Sequence, residues 1–208
     1  MRSQAILSAM AIGLGLTWAP VAQAQKGPSF DCAKASHEIE VLICKDEALA
    51  ALDRKMAQTY AASIKVLGKV ADSREATRTL RAYQSGWSKG RNDCWKETDK
   101  RLCTETSYKR RIAELQAHYG LVKSSKPVFY ACENNPSNEI VATFFETDPA
   151  SVRLERGDQQ TIGIAVPAAS GVRYEADFGT YFWTKGDEAL AEWPQGSELK
   201  CEAAAGAR

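Results

Sequence analysis

The chain has 208 residues, 44% hydrophobic and 25% charged, which suits one or two globular domains and excludes a wholly disordered chain or a collagen-like repeat. Its 27 basic and 26 acidic residues lack the basic excess of a generic nucleic-acid binder. Two histidines, His37 and His118, are too few for a multi-histidine metal site, and no cofactor motif is present.

The first residues read as a targeting segment. Arg2 supplies a positive start, residues 5–18 (AILSAMAIGLGLTW) form one short apolar run, and Ala22-Gln23-Ala24 is a small-x-small cleavage pattern. The run is short for about 30 Å of hydrocarbon. A signal peptide spanning residues 1–24, cut after Ala24, is therefore expected. No cysteine lies near that site, so neither a lipobox nor a membrane anchor is expected. Export implies an oxidising space in which disulfides persist, and a bacterial periplasm suits this style of signal.

Residues 30–120 read as helical. Leu49, Leu52, Met56, Tyr60, Ile64 and Leu67 recur at spacings of three and four, one face of a helix. Leu80, Tyr83 and Trp87 continue the pattern on a second helix, and Tyr108, Ile112, Leu115 and Tyr119 on a third. Gly120 stands where a C-cap glycine belongs. Residues 121–127 (LVKSSKP) form a short polar linker.

After Pro127 the period changes to two. Candidate strands are 128–132, 138–146, 151–155, 160–166, 172–177, 180–185, 188–193 and 198–202. Turns are expected at Asn134-Asn135-Pro136, Gly157-Asp158, Ser170-Gly171 and Gly186-Asp187. Eight short strands at hairpin spacing predict a small antiparallel barrel or sandwich over residues 128–203. The fold class is thus two-domain α + β.

Charge divides at the same boundary. Residues 30–120 carry 17 basic and 13 acidic side chains, whereas residues 128–208 carry 6 basic and 13 acidic, a net −7. Such a charge either only keeps a small domain soluble or steers association with a basic partner, and charge alone does not choose between the two.

The cysteines divide in the same way. Cys132 and Cys201 open and close the β part, and this segregation points to their pairing. Cys32, Cys44, Cys94 and Cys103 share the helical part, where three pairings are possible. Local pairing, Cys32–Cys44 and Cys94–Cys103, is preferred, although an antiparallel hairpin would also bring Cys44 near Cys94. Without a CxxC and in an oxidising space, metal binding is not expected.

Catalytic motifs are missing: there is no G-x-S-x-G elbow, no HExxH and no P-loop. His37 and His118 fall on helical segments and read as surface or capping residues. One constellation stands apart. Ser170-Gly171-Val172-Arg173-Tyr174 leads into one strand, and Trp183-Thr184-Lys185-Gly186-Asp187 forms the next hairpin tip. The glycines suit turns, and serine and lysine are common on surfaces. Both tips could nevertheless project from one end of a barrel, offering a hydroxyl and an ammonium. A Ser170–Lys185 nucleophile pair is formally possible, but a lysine on an exposed tip lacks the burial that lowers its pKa.

These residues carry a resemblance. Tyr130-Ala131-Cys132, Ser170-Gly171-x-Arg173-Tyr174, Trp183-x-Lys185-Gly186-Asp187-x-Ala189 and Cys201 make residues 129–202 similar to the membrane-bound/periplasmic c-type lysozyme inhibitor family. That resemblance implies an eight-stranded antiparallel β-barrel with a disulfide, whose two motif loops enter the lysozyme cleft. It implies Ser170 and Lys185 as contacts, with Gly171, Gly186, Arg173 and Tyr174 in the binding loops. Arg173 and Tyr174 are expected to buttress, and Tyr174 could instead be core.

The helical part resembles the N-terminal domain of the LprI lysozyme-inhibitor family. The matching residues are Cys32, Glu38, Ile43-Cys44, Leu49, Leu52-Asp53 and Tyr60, then Gln84, Trp87, Arg91-Asn92, Cys94, Cys103, Tyr108 and Arg111-Ile112. Together the resemblances imply an exported inhibitor of c-type lysozyme, a basic partner, rather than an enzyme. A cell-wall glycan-binding module, with Trp183, Tyr181 and Trp193 stacking on sugars, is the alternative.

Overall fold

The computed structural model describes residues 26–194 and 196–204. The expected signal peptide, residues 1–24, lies outside the described residues. Four α-helices come first: α1 (Glu38–Lys45), α2 (Glu47–Leu67), α3 (Ser73–Asn92) and α4 (Lys100–His118). Single-turn 3-10 helices at Cys32–Lys34 and Asp93–Lys96 precede α1 and α4.

Polar caps set the helix boundaries. His37 Nδ1 accepts from the Ile39 N–H, while Glu40 reaches back to the His37 N–H, a reciprocal capping box. Asp46 ends α1 and starts α2 by accepting from the Ala48 and Leu49 N–H groups at 2.9 and 3.1 Å. Asp99 caps α4 through Leu102. Past α4, Gly120 takes φ +59, the left-handed position expected of it.

The apolar faces meet in a core of Ile39, Ile43, Leu49, Met56, Leu80, Tyr108, Ile112 and Leu115. Inside it lies a polar relay. The Arg91 guanidinium donates to the Tyr108 hydroxyl, which donates to Asp53, both at 2.7 Å. Arg91 also lies over the Trp87 ring, 5.6 Å from its centroid. The other Asp53 oxygen accepts from the Ser29 N–H and hydroxyl. Disulfides Cys32–Cys44 and Cys94–Cys103 fasten the two 3-10 turns to α1 and α4, the local pairing preferred from the sequence.

Eight strands then close a barrel in sequence order: β1 (Val128–Cys132), β2 (Asn135–Phe145), β3 (Ser151–Arg156), β4 (Gln159–Val166), β5 (Val172–Glu175), β6 (Tyr181–Lys185), β7 (Glu188–Glu192) and β8 (Leu199–Ala203). All neighbours are antiparallel, and β1 pairs with β8 to leave no free edge. Cys132 lies opposite Cys201 at that seam and is disulfide-bonded to it. Tyr130, Ile140, Val152, Leu154, Tyr174, Phe182 and Trp193 fill the interior.

Two boundaries differ from the expected ones by more than one residue. The first turn is Glu133-Asn134, with φ 55 and 53, and Asn135 already belongs to β2. The register shifts between Ala131 and Cys132, opposite the start of that strand. β5 stops at Glu175 because Asp177–Gly179 forms a 3-10 turn with Phe178 at φ 57.

The segment expected to be a linker is pinned to the barrel. Ser125 N–H donates to the Phe144 carbonyl at 2.8 Å, and Glu146 N–H to that of Lys123 at 3.0 Å. The helix α4 packs on β3 and β4.

Candidate functional site

Antiparallel connectivity sets the β4–β5 loop (167–171) and the β6–β7 turn (186–187) at the same end of the barrel. Strands β5 and β6 are neighbours, with Val172 opposite Thr184. The two motifs therefore sit side by side, and Ser170 and Lys185 are both exposed.

Two contacts join the loops. The Trp183 indole N–H donates to the Ser170 carbonyl at 2.7 Å. Gly171 lies against the backbone of β6: a Cβ there would stand 2.1 Å from the Thr184 carbonyl oxygen, and its φ is +64. Space and dihedral both require glycine. Gly186 also has φ +64, but nothing lies within 4 Å of a Cβ built on it. Its role is to close the two-residue turn between the paired Lys185 and Glu188.

Arg173 stands opposite Trp183 on the outer wall. Its guanidinium is 4.1 Å from the Tyr181 ring centroid and 6.0 Å from that of Trp183, and its Nε is 3.2 Å from Glu175. A planar cation held by two rings and a carboxylate braces the wall below the loops. Tyr174, grouped with the binding loops by the resemblance, points the other way. It is 7% exposed and tilts against Phe144 in the core, so it packs the barrel and presents no surface to a partner.

Beside the loops, a cleft of about 570 Å³ runs down the wall, lined by Ser170, Trp183, Lys185, Glu188, Leu190 and Glu202 among others. Glu188 and Glu202 face each other across β7 and β8. Among the described residues, no ion pair engages Lys185, Glu188 or Glu202. Lys200 lines the same cleft, which therefore presents two ammonium groups, those of Lys185 and Lys200, among the carboxylates of Glu133, Glu188 and Glu202.

The remaining candidates do not join this site. Ser170 and Lys185 share no hydrogen bond, so nothing there activates the hydroxyl as a nucleophile. His37 caps α1, and His118, whose pKa burial lowers, rests edge-on against Tyr119. Tyr181 and Trp193 are buried, 9% and 7% exposed, so the aromatic trio that could have stacked on sugars is not a surface. Among the described residues, no group of three or more His, Cys, Asp or Glu side chains could hold a metal, and no helix is long and apolar enough to cross a membrane.

Sequence reasoning placed Trp183 in a motif but missed its role as the donor that fixes the neighbouring loop. The available signal was its outward phase, two residues before Lys185.

Comparisons with known proteins fall on both halves. Residues 130–200 match a family described as "Membrane-bound lysozyme-inhibitor of c-type lysozyme", and residues 31–115 one described as "Lysozyme inhibitor LprI". Both resemblances read from the sequence are thereby met. The chain is 26% identical over 176 residues to "Lipoprotein LprI" of Mycobacterium bovis and of Mycobacterium tuberculosis, covering 84% of this chain and 84% of each relative. Among solved structures, Pseudomonas aeruginosa MliC in complex with hen egg white lysozyme aligns at 24% identity and a TM-score of 0.34, covering 40% of this chain and 86% of that one.

Proposed function

We propose that this protein is an exported inhibitor of c-type lysozyme that plugs the enzyme's cleft with its Ser170 and Lys185 loops and so protects bacterial peptidoglycan. The observation that carries this reading is the fixed juxtaposition of those two loops at one barrel end, joined through Trp183 and Gly171. The family descriptions matched by the two halves both name lysozyme inhibition, which supports the same reading.

The chemistry suits the target. A lysozyme works with a protonated glutamic acid and an ionised aspartate across its cleft. An ammonium at the tip of Lys185 pairs with the carboxylate, and the Ser170 hydroxyl can donate to or accept from either carboxyl form. Each such charge-assisted bond contributes about 1.5–3 kcal/mol. Gly171 and Gly186 keep the tips narrow, and Arg173 holds the wall beneath them. Inhibition is steric and electrostatic, and no covalent bond changes. Animal c-type lysozymes are strongly basic, so a barrel with 13 acidic and 6 basic residues is steered toward them.

The test is lysis of a cell-wall suspension by hen egg-white lysozyme with increasing amounts of the oxidised, signal-free protein at two salt concentrations. Stoichiometric inhibition that weakens with salt is expected. Absence of inhibition by folded protein would overturn the reading.

A further inference from the structure

A second, larger cavity lies away from these loops and shares no lining residue with their cleft. It is a groove of about 1110 Å³ between α3, α4 and the barrel strands β4 and β5. Its size exceeds the usual range for a small-molecule pocket, about 300–1,000 Å³, and suits an extended ligand. We propose that this groove binds an oligosaccharide.

Arg111 carries the argument. Its side chain is 7% exposed and lines the groove. Nε donates to Gln84 at 3.2 Å and Nη1 to Glu114 at 2.6 Å, while Nη2 is buried without a hydrogen-bond partner. An unpaired buried donor is costly, and a ligand bringing an acceptor relieves that cost.

The surroundings select the ligand class. Tyr83 and Trp87 lie one turn apart on α3 and both line the groove, with Tyr83 68% exposed. Leu102, 57% exposed, adds apolar surface from α4. Glu97 and Asp177 bring carboxylates from the helical and barrel sides, and neither is in an ion pair among the described residues. A small anion is opposed by those carboxylates. A small cation is opposed by Arg111, and a purely apolar ligand would leave Nη2 unpaired. A pyranose chain suits this mixture: ring faces cover Tyr83 and Trp87, hydroxyls donate to the carboxylates, and ring, hydroxyl or acetamide oxygens accept from Arg111 and from Arg110, which lines the same groove.

The experiment is a titration of the full signal-free protein with the N-acetylglucosamine tetramer, followed by proton–nitrogen NMR without lysozyme. Saturable shifts of the Trp87 indole N–H are expected while that of Trp183 stays still. Tyr83→Ala, a change at an exposed side chain, weakens binding by about tenfold and leaves lysozyme inhibition unchanged. Arg111→Lys keeps the charge but loses the planar fork, and it also weakens binding. No saturable shift at millimolar sugar, equal affinity in Tyr83→Ala, or shifts confined to Trp183 would each overturn the proposal. So would a Trp87 signal that responds only to protein concentration, which would make the groove a contact between copies.

Discussion

The Trp183 indole donates its N–H to the carbonyl of Ser170 at 2.7 Å, so a side chain on one motif holds the backbone of the other. Lys185 follows two residues later on the same strand face, so the bond ties the strand that carries one tip to the other tip. Trp183→Phe keeps a ring beside Arg173 and removes only this bond. A neutral hydrogen bond contributes about 0.5–1.5 kcal/mol, so inhibition should weaken by about three- to tenfold while the melting temperature barely moves. Lys185→Ala removes a charged contact instead and should cost at least about tenfold. Titrating lysozyme activity against each variant measures both losses, and unchanged inhibition by folded Lys185→Ala would defeat the two-loop mechanism.

The two motif glycines separate strain from space. Both have φ +64, where a side chain costs about 1–2 kcal/mol. Gly186→Ala meets nothing within 4 Å and should cost only that amount. In Gly171→Ala the new methyl would stand 2.1 Å from the Thr184 carbonyl oxygen, so loop and strand must part. Thermal unfolding and inhibition titration of the pair should show a mild loss of stability for Gly186→Ala. Gly171→Ala should lose much more stability and most of its inhibition.

Most of the barrel was legible because its short β-branched and aromatic runs are separated by turn signals, several of them glycines at positive φ. Gly157, Gly171 and Gly186 all fall where the sequence put turns. The cysteines paired by domain because each domain closes on itself. The first turn was misplaced because Glu133 takes a left-handed φ that its side chain disfavours, so the Asn-Asn-Pro cluster drew the prediction one residue too far. Tyr174 was ambiguous because a loop motif that continues into a strand mixes two faces: Arg173 faces out and Tyr174 in. The partner of Trp183 could not be read, since it lies 13 residues away on a loop placed by the barrel. In the helical half, Asp53, Arg91 and Tyr108 of the family pattern converge in a buried relay, a structural explanation for that part of the signature.

That relay gives a prediction for the helical half alone. Arg91 and Asp53 are both buried, 4.0 Å apart, and Tyr108 bridges them. Asp53→Ala leaves the Tyr108 hydroxyl without its acceptor and the buried Arg91 guanidinium without its counter-charge, and should cost about 3–5 kcal/mol. Tyr108→Phe removes only the bridge and should cost about 1–3 kcal/mol. Helical circular dichroism on heating should show both losses. At 25 °C lysozyme inhibition by the barrel should persist in Tyr108→Phe, and its disappearance there would assign the helical half to the inhibitory site.

Acid should act on the helical half, whereas alkali should act on both, because burial raises the phenols of Tyr108 and Tyr119 as well as that of Tyr181. Asp46 is held below the usual carboxylate range by the Leu49 N–H and then by Arg101, and Glu105 by Lys109 and then Arg101. Carboxylates depressed in the fold stabilise it at neutral pH, and that contribution fades as the pH falls through about 4 and below. Arg101→Ala removes a partner of both and should flatten this acid limb of helical stability. The barrel responds at the other extreme. Burial, then the bond to Glu198, pushes the Tyr181 phenol up to about 12. A phenol with a raised pKa stabilises the fold while protonated, so its contribution is complete below about pH 10 and lost as the pH rises toward 12. Tyr181→Phe should reduce the barrel's loss of stability across that window. Denaturant midpoints measured from pH 3 to pH 5 and from pH 9 to pH 12 would separate the two limbs. An acid limb unchanged by Arg101→Ala would remove the Asp46–Arg101–Glu105 cluster as its source.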